Sequence, residues 1–169
     1  EPIEIRLGSG LAPLLIGPES DFAERIGNLR KQIAQDLGFL LPKVQTGHRA
    51  DVAESSYEIY FHGCRMGQGE LVMDRVLAIN PGGRRPQLEG SGTRDPPYGL
   101  PAQWVPKESR QVARGAGYTL VDPDTVLMTH LSELVKRQAA DLLTRSDTER
   151  LLHRLREQHD SLIDEPQRR

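Results

Sequence analysis

Apolar and polar residues alternate or recur at helical spacing along most of the chain, and the pattern marks out its elements in order. Ile3, Ile5 and Leu7 alternate with Glu4 and Arg6, which predicts a half-buried strand closed by Gly8 and Gly10. Phe22, Ile26, Leu29, Ile33 and Leu37 then fall at spacings of three and four, one apolar stripe of a helix. Asp21 with Glu24 reads as a capping box at its start, Gly38 as its C-terminal cap, and Pro42 prevents a restart. Residues 43–80 read as β: Tyr57, Ile59 and Phe61 alternate, His62-Gly63 can turn the chain, and Met66 to Val72 can return beside them. Val76 to Ile79 is a short buried run.

Residues 81–99 hold Gly, Pro, Arg and Ser with few apolar positions, and read as a loop. A small β-α-β unit follows, with Ala102 to Val105 as its first strand, Pro106 at the first helical position, Lys107 to Arg114 as helix, and Tyr118 to Val121 as its second strand. A long helix is expected from Asp122 or Asp124, with Leu127, Leu131, Leu134, Gln138 and Leu142 on one face, widened by Met128 and Val135. Ser146 and Glu149 read as a second capping box that opens a further helix carrying Leu151, Leu152 and Leu155. That helix has nothing after it to pack on.

Composition narrows the function classes. The 169 residues suffice for one ordinary domain or two small ones. With 37% apolar residues and 5% aromatics, an aliphatic core is within reach. A net charge of −2 argues against nucleic-acid binding, which needs clustered positive charge. Arg84-Arg85 and Arg168-Arg169 read as solvated loop and tail charge. Cys64, the single cysteine, cannot form an internal disulfide. No apolar run nears the ~20 residues that cross a bilayer, and the chain opens Glu-Pro-Ile-Glu without a signal-peptide pattern.

Catalytic signatures are missing from the sequence. It has no phosphate-binding Gly-x-x-x-x-Gly-Lys-[Ser/Thr], no dinucleotide glycine fingerprint and no Gly-x-Ser-x-Gly elbow. His130/Glu133 and His153/Glu157 sit at helical spacing, but no third ligand is indicated, so they read as surface polar pairs. Asp122 and Asp124 suit a helix start. No catalytic, metal-binding or cofactor-binding residue is expected, and the chain reads as a docking module, not an enzyme.

One segment stands apart: Asp95-Pro96-Pro97-Tyr98-Gly99-Leu100-Pro101-Ala102-Gln103-Trp104. Three prolines stiffen it, and a stiff backbone with aromatics suits a preformed recognition surface. Trp104 is expected in the core, Asp95 and Tyr98 exposed.

With four further segments, Ile26–Pro42, Leu77–Gly82, Gly117–Val126 and Thr129–Leu131, this one carries a resemblance. The chain resembles the cytoplasmic C-terminal region of the bacterial type III export-gate family, which includes the flagellar export-gate protein and its injectisome relatives. The resemblance implies an α/β (α+β) architecture. Residues 1–73 and 123–142 would form a small mixed-sheet subdomain with packed helices. Residues 74–122 would form an inserted β-α-β subdomain, and 143–169 the start of a helical subdomain. It implies an inner-membrane protein whose membrane part lies outside this chain, leaving this region in the cytoplasm. It also implies assembly of the full protein into a nonameric ring, with the present chain monomeric. The implied partners are export chaperone–substrate complexes and other export-apparatus components, docking in an apolar dimple marked here by Asp95, Tyr98, Gly99, Leu100 and Thr129. Asp95 would orient the partner by its charge. Tyr98, where flagellar members usually carry phenylalanine, would form an apolar wall, and Thr129 would place a hydroxyl at the rim. The Asp-Pro-x-x-Gly-Leu-Pro-Ala-x-Trp pattern leans to the flagellar branch. A second implied reading is a mainly structural ring subunit.

Overall fold

The protein was analysed as a computed structural model, which describes residues 2–38 and 40–164. The chain divides into two compact units, Glu1–Leu134 and Val135–Arg169. The first holds two four-stranded sheets and the helices between them, a mixed α+β architecture as expected from the sequence.

In the first sheet the strand order is β2-β1-β3-β4. β1 (Ile3–Leu7) lies between β2 (Val44–His48), to which it is parallel, and β3 (Ser56–Phe61), to which it is antiparallel. The parallel pair is connected through a one-turn helix α1 (Ala12–Leu15) and the long α2 (Phe22–Leu37). Ile3, Ile5 and Leu7 are buried, as are Tyr57, Ile59 and Phe61. Burying each such side chain stabilises by about 1.5–3 kcal/mol. β3 turns through His62 and Gly63 into β4 (Cys64–Glu70). Both turn residues have positive φ, 51° and 79°, the geometry whose twist matches that of a hairpin.

α2 buries Phe22, Ile26 and Ile33 of the expected stripe and leaves Leu29 and Leu37 half-buried; it ends at a left-handed Gly38. Its start differs from the expected capping box. Asp21 makes no side-chain cap bond; instead the Phe22 N–H donates to Ser20 Oγ at 3.1 Å, and Ser20 Oγ donates to the Leu15 carbonyl at 2.7 Å. Ser20 thus joins the two helices and satisfies the first free amide of α2. α1 itself was not expected; its signal is the proline in its first turn.

The second sheet runs β6-β7-β5-β8, every neighbour antiparallel. β5 (Arg75–Ile79) is central, between β7 (Pro101–Pro106) and β8 (Thr119–Val121), which explains its unbroken apolar run. On one face Val76, Ala78 and Val105 pack with Ala113 of α3 (Arg110–Gly115), with Leu88, Tyr118 and Leu120 at the margin. Trp104 is buried, as expected. The helix expected from Lys107 begins instead as a 3-10 turn, Lys107–Ser109, before α3.

Two further expectations are corrected. Residues 81–99 are not all loop: β6 (Ser91–Arg94) pairs with β7 at the sheet edge. All four of its residues are exposed and none is apolar at a strand period, so its backbone pairing with β7 is announced by no periodicity. Arg85 is not a fully solvated loop charge; it is half-buried, with its guanidinium against Gly117.

α4 starts at Pro123 and continues without interruption to Asp164. The break expected at Ser146 is therefore absent. Nothing between Asp124 and Asp164 is Gly or Pro, so a local capping motif has no interruption to exploit. In the first unit α4 buries Val126, Leu127, Leu131 and Leu134; the second unit comprises the rest of the helix. The side chains of Leu142, Leu151, Leu152 and Leu155, and all of Arg168-Arg169, lie outside the described residues.

Two glycines test this packing. A Cβ on Gly8 would run into the backbone carbonyl of Ala53, whereas one on Gly27, inside α2, would meet nothing within 4 Å. Gly8→Ala should cost about 1–3 kcal/mol, and Gly27→Ala should stabilise by about 0.5–1 kcal/mol, both read from urea midpoints.

Candidate functional site

The proline-rich segment between β6 and β7 is a closed turn. The Asp95 N–H donates to the Leu100 carbonyl at 2.8 Å, and the Gly99 N–H donates to the Asp95 carbonyl at 2.6 Å. The Tyr98 N–H donates to Asp95 Oδ2 at 3.2 Å. Gly99 sits at φ +72°, a conformation other residues rarely adopt, and its carbonyl accepts from Arg94 Nη1 at 2.9 Å. The turn therefore owes its shape to one carboxylate and one glycine.

This turn forms one side of a hollow of about 220 Å³ lined by Ile79, Pro81, Asp95, Pro97, Tyr98, Leu100, Thr119, Val121, Val126 and Thr129. Ile79, Thr119 and Val121 come from the second sheet, where Ile79 pairs with Thr119. Val126 and Thr129 come from the first turns of α4. Four expected site residues, Asp95, Tyr98, Leu100 and Thr129, thus meet at one place; Gly99 shapes the turn without lining the hollow. Ile79, Pro81, Pro97, Thr119, Val121 and Val126 are not among the expected site residues; Pro97 lies within the proline-rich segment itself. The signal of the other five lay in the segments Leu77–Gly82 and Gly117–Val126, which carry the resemblance.

Asp95 was expected to be exposed and is not: only 2% of it reaches solvent. The cause is the turn, which folds around the residue so that its carboxylate accepts from the Tyr98 amide and its backbone carbonyl from the Gly99 amide. Burial pushes the Asp95 carboxyl above its ordinary value, and the Tyr98 amide pulls it partly back. Tyr98 is 55% exposed, as expected. Its O–H donates to Glu133 Oε1 at 2.9 Å, one helical turn beyond Thr129.

His130, expected at the surface in a pair with Glu133, is buried. It is 6% exposed, and a 2.6 Å hydrogen bond joins its Nδ1 to the Tyr57 hydroxyl. The rings meet edge to face at 5.6 Å between centroids. Burial, followed by the charge of Asp95, drives the Tyr57 phenol far above its usual range, so it stays neutral. Gly67 and Gly69 of β4 lie against these rings, where a Cβ would collide with His130 and Tyr57 respectively. The start of α4 is also tied to α2, since Arg25 donates to Asp124 Oδ2 at 2.6 Å and to Thr125 Oγ1 at 2.9 Å.

Two other hollows are polar. One beside β3 and β4, about 450 Å³, is lined among others by Asp51, Glu58 and Glu70; one beneath the 83–87 segment, about 420 Å³, by Arg84, Arg85 and Gln103. Among the described residues no group of three or more His, Cys, Asp and Glu is placed to hold a metal ion. Cys64 is exposed at the start of β4. No helix among the described residues is long and apolar enough to cross a membrane. A small apolar hollow with a hydrogen-bonded turn at its edge is suited to receiving a side chain of another protein.

Comparison with known proteins settles the family. A model of the FHIPEP family matches residues 1–169. The chain belongs to the FHIPEP family. It is 36% identical over 166 residues to the flagellar biosynthesis protein FlhA of Helicobacter pylori, covering 98% of this chain and 23% of that protein. FlhA of Bacillus subtilis is 34% identical over 166 residues, with 98% and 24% covered. The chain thus spans about a quarter of the length of these FHIPEP relatives. In fold it is similar to Chlamydia pneumoniae CdsV, with a TM-score of 0.69 at 19% identity, covering 97% of this chain and 50% of that one. It is also similar to the nonameric EscV cytosolic domain of a type III secretion system, with a TM-score of 0.51 at 20% identity and coverage of 99% and 48%.

Two substitutions test the polar groups at the site. Tyr57→Phe removes a buried partner of His130 and should cost about 1–3 kcal/mol in chemical unfolding. Because the folded Asp95 carboxyl is raised, its contribution is present below the ordinary carboxylate value and is lost as pH rises through the folded value. The stability of Asp95→Asn relative to the wild type should therefore rise as pH climbs from the ordinary carboxylate value through the raised folded one, and level off above it, as read from paired urea titrations.

Proposed function

We propose that this chain is a cytosolic part of the export gate of a bacterial type III secretion system, and that it docks export chaperone–substrate complexes and so helps order their export. The observation that carries the reading is the small apolar hollow edged by the 95–100 turn, in a chain of the FHIPEP family. A volume of about 220 Å³ suits one aliphatic or aromatic anchor side chain. Binding is reversible and without turnover. Identities of 34–36% to FlhA proteins favour the flagellar branch. Attachment to the inner membrane belongs to parts of the protein outside this chain.

Within this reading, residues 1–73 with 123–142 form the first subdomain, 74–122 the inserted second, and 143–169 the start of a helical third. The hollow then lies at the junction of the first two, where a docked partner can bias their relative arrangement. A second reading, a mainly structural ring subunit, draws support from the fold shared with the nonameric EscV domain. It expects a mass that rises with concentration, whereas the docking reading expects a monomer alone in solution.

Calorimetric titration with the cognate export chaperone–substrate complex tests the docking reading. Leu100→Asp, which puts a charge on the hollow wall, should weaken binding by about 2 kcal/mol or more with the melting curve of the free chain retained. Unchanged binding by this variant would move the docking surface elsewhere.

A further inference from the structure

Resting on that docking reading, we propose that Asp95 and Glu133 are positioning residues that clamp Tyr98 at its two ends. The clamp gives the hollow its shape before anything docks, and docking depends on the two carboxylates as hydrogen-bond acceptors, not on their charge. Asp95 is the backbone end of the clamp. It lies 2% exposed with Oδ2 accepting from the Tyr98 amide, so it is spent inside the turn and presents no charge for a partner to meet. Glu133 is the far end. Its Oε1 accepts from the Tyr98 hydroxyl at 2.9 Å, and it stands four residues after Thr129, on the same face of α4. The two bonds therefore stretch the Tyr98 ring from the turn to the helix, along one side of the hollow.

Between its anchors the ring is 55% exposed. An exposed tyrosine without such a bond exchanges among rotamers and must be frozen when a partner packs on it. The clamp removes that cost in advance. The Arg94 guanidinium donates to the Gly99 carbonyl and braces the same turn from outside.

The test is a set of isosteric and truncating variants of the chain, titrated with its cognate export chaperone–substrate complex. Asp95→Asn and Glu133→Gln keep an acceptor oxygen and lose the charge, and both should dock within about twofold of the wild type. Glu133→Ala and Tyr98→Phe should each weaken docking by roughly two- to tenfold. Combined, they should be no weaker than either alone, since they remove the same bond. Tyr98 is exposed and Glu133 half-buried, so these two variants test the clamp independently of any change in turn stability in Asp95→Asn. The proposal is overturned if Glu133→Gln loses as much as Glu133→Ala, which would mean that charge is read. It is equally overturned if Tyr98→Phe and Glu133→Ala dock like the wild type. Leu100→Asp separates the two levels: its loss of docking beside unaffected clamp variants sinks only the clamp, whereas its full docking sinks the reading on which the clamp rests.

Discussion

The buried hydrogen bond between Tyr57 and His130 is the contact on which the rest of the site depends. It fixes α4 to the first sheet one residue after Thr129, at the helical turn that forms one wall of the hollow. A polar bond of this kind has one workable register, because a slip of α4 would leave a phenol and an imidazole buried without each other. The aliphatic contacts of Leu127 and Leu131 supply burial but tolerate sliding. Gly67 and Gly69 belong to the same arrangement, since side chains there would occupy the space of the two rings. Arg25 secures the start of the helix from the α2 side.

With the helix held, the 95–100 turn completes the hollow. Its local sequence solves a specific problem: the chain must leave an edge strand, reverse, and enter β7 while presenting apolar side chains. Asp95 absorbs an amide of the reversal and Gly99 supplies the left-handed step. The segment is held by bonds internal to itself, so under the proposed docking reading little order would remain to be imposed on it by a partner.

Much of this was legible in the sequence. Strict alternation announced β1 and β3, three-four spacing announced α2, and His62-Gly63 announced the hairpin. The resemblance carried Asp95, Tyr98, Leu100 and Thr129 to one place. What stayed hidden has physical causes. β6 is built from backbone bonds with exposed side chains, so no apolar period marks it. Ser20 and not Asp21 caps α2, because the choice depends on how α1 approaches. The Ser146 motif did not start a helix, because a capping sequence is silent inside an uninterrupted helical run. Asp95 was misjudged as a surface charge for a related reason. A carboxylate beside prolines reads as exposed, and only the folded turn reveals that Oδ2 accepts from the Tyr98 amide. His130 likewise looked like half of a surface pair until β3 brought Tyr57 to it from 73 residues away.

The account turns on the hollow being the surface that meets a partner. Hydrogen exchange of the chain, measured alone and with the export chaperone–substrate complex proposed above as its partner, tests this directly. Slowed exchange is expected at residues 98–100, 119–121 and 126–130, with the polar hollow beside β3 and β4 unchanged. Protection confined to residues 51–58 and 68–70, with residues 98–100 exchanging as in the free chain, would contradict the account.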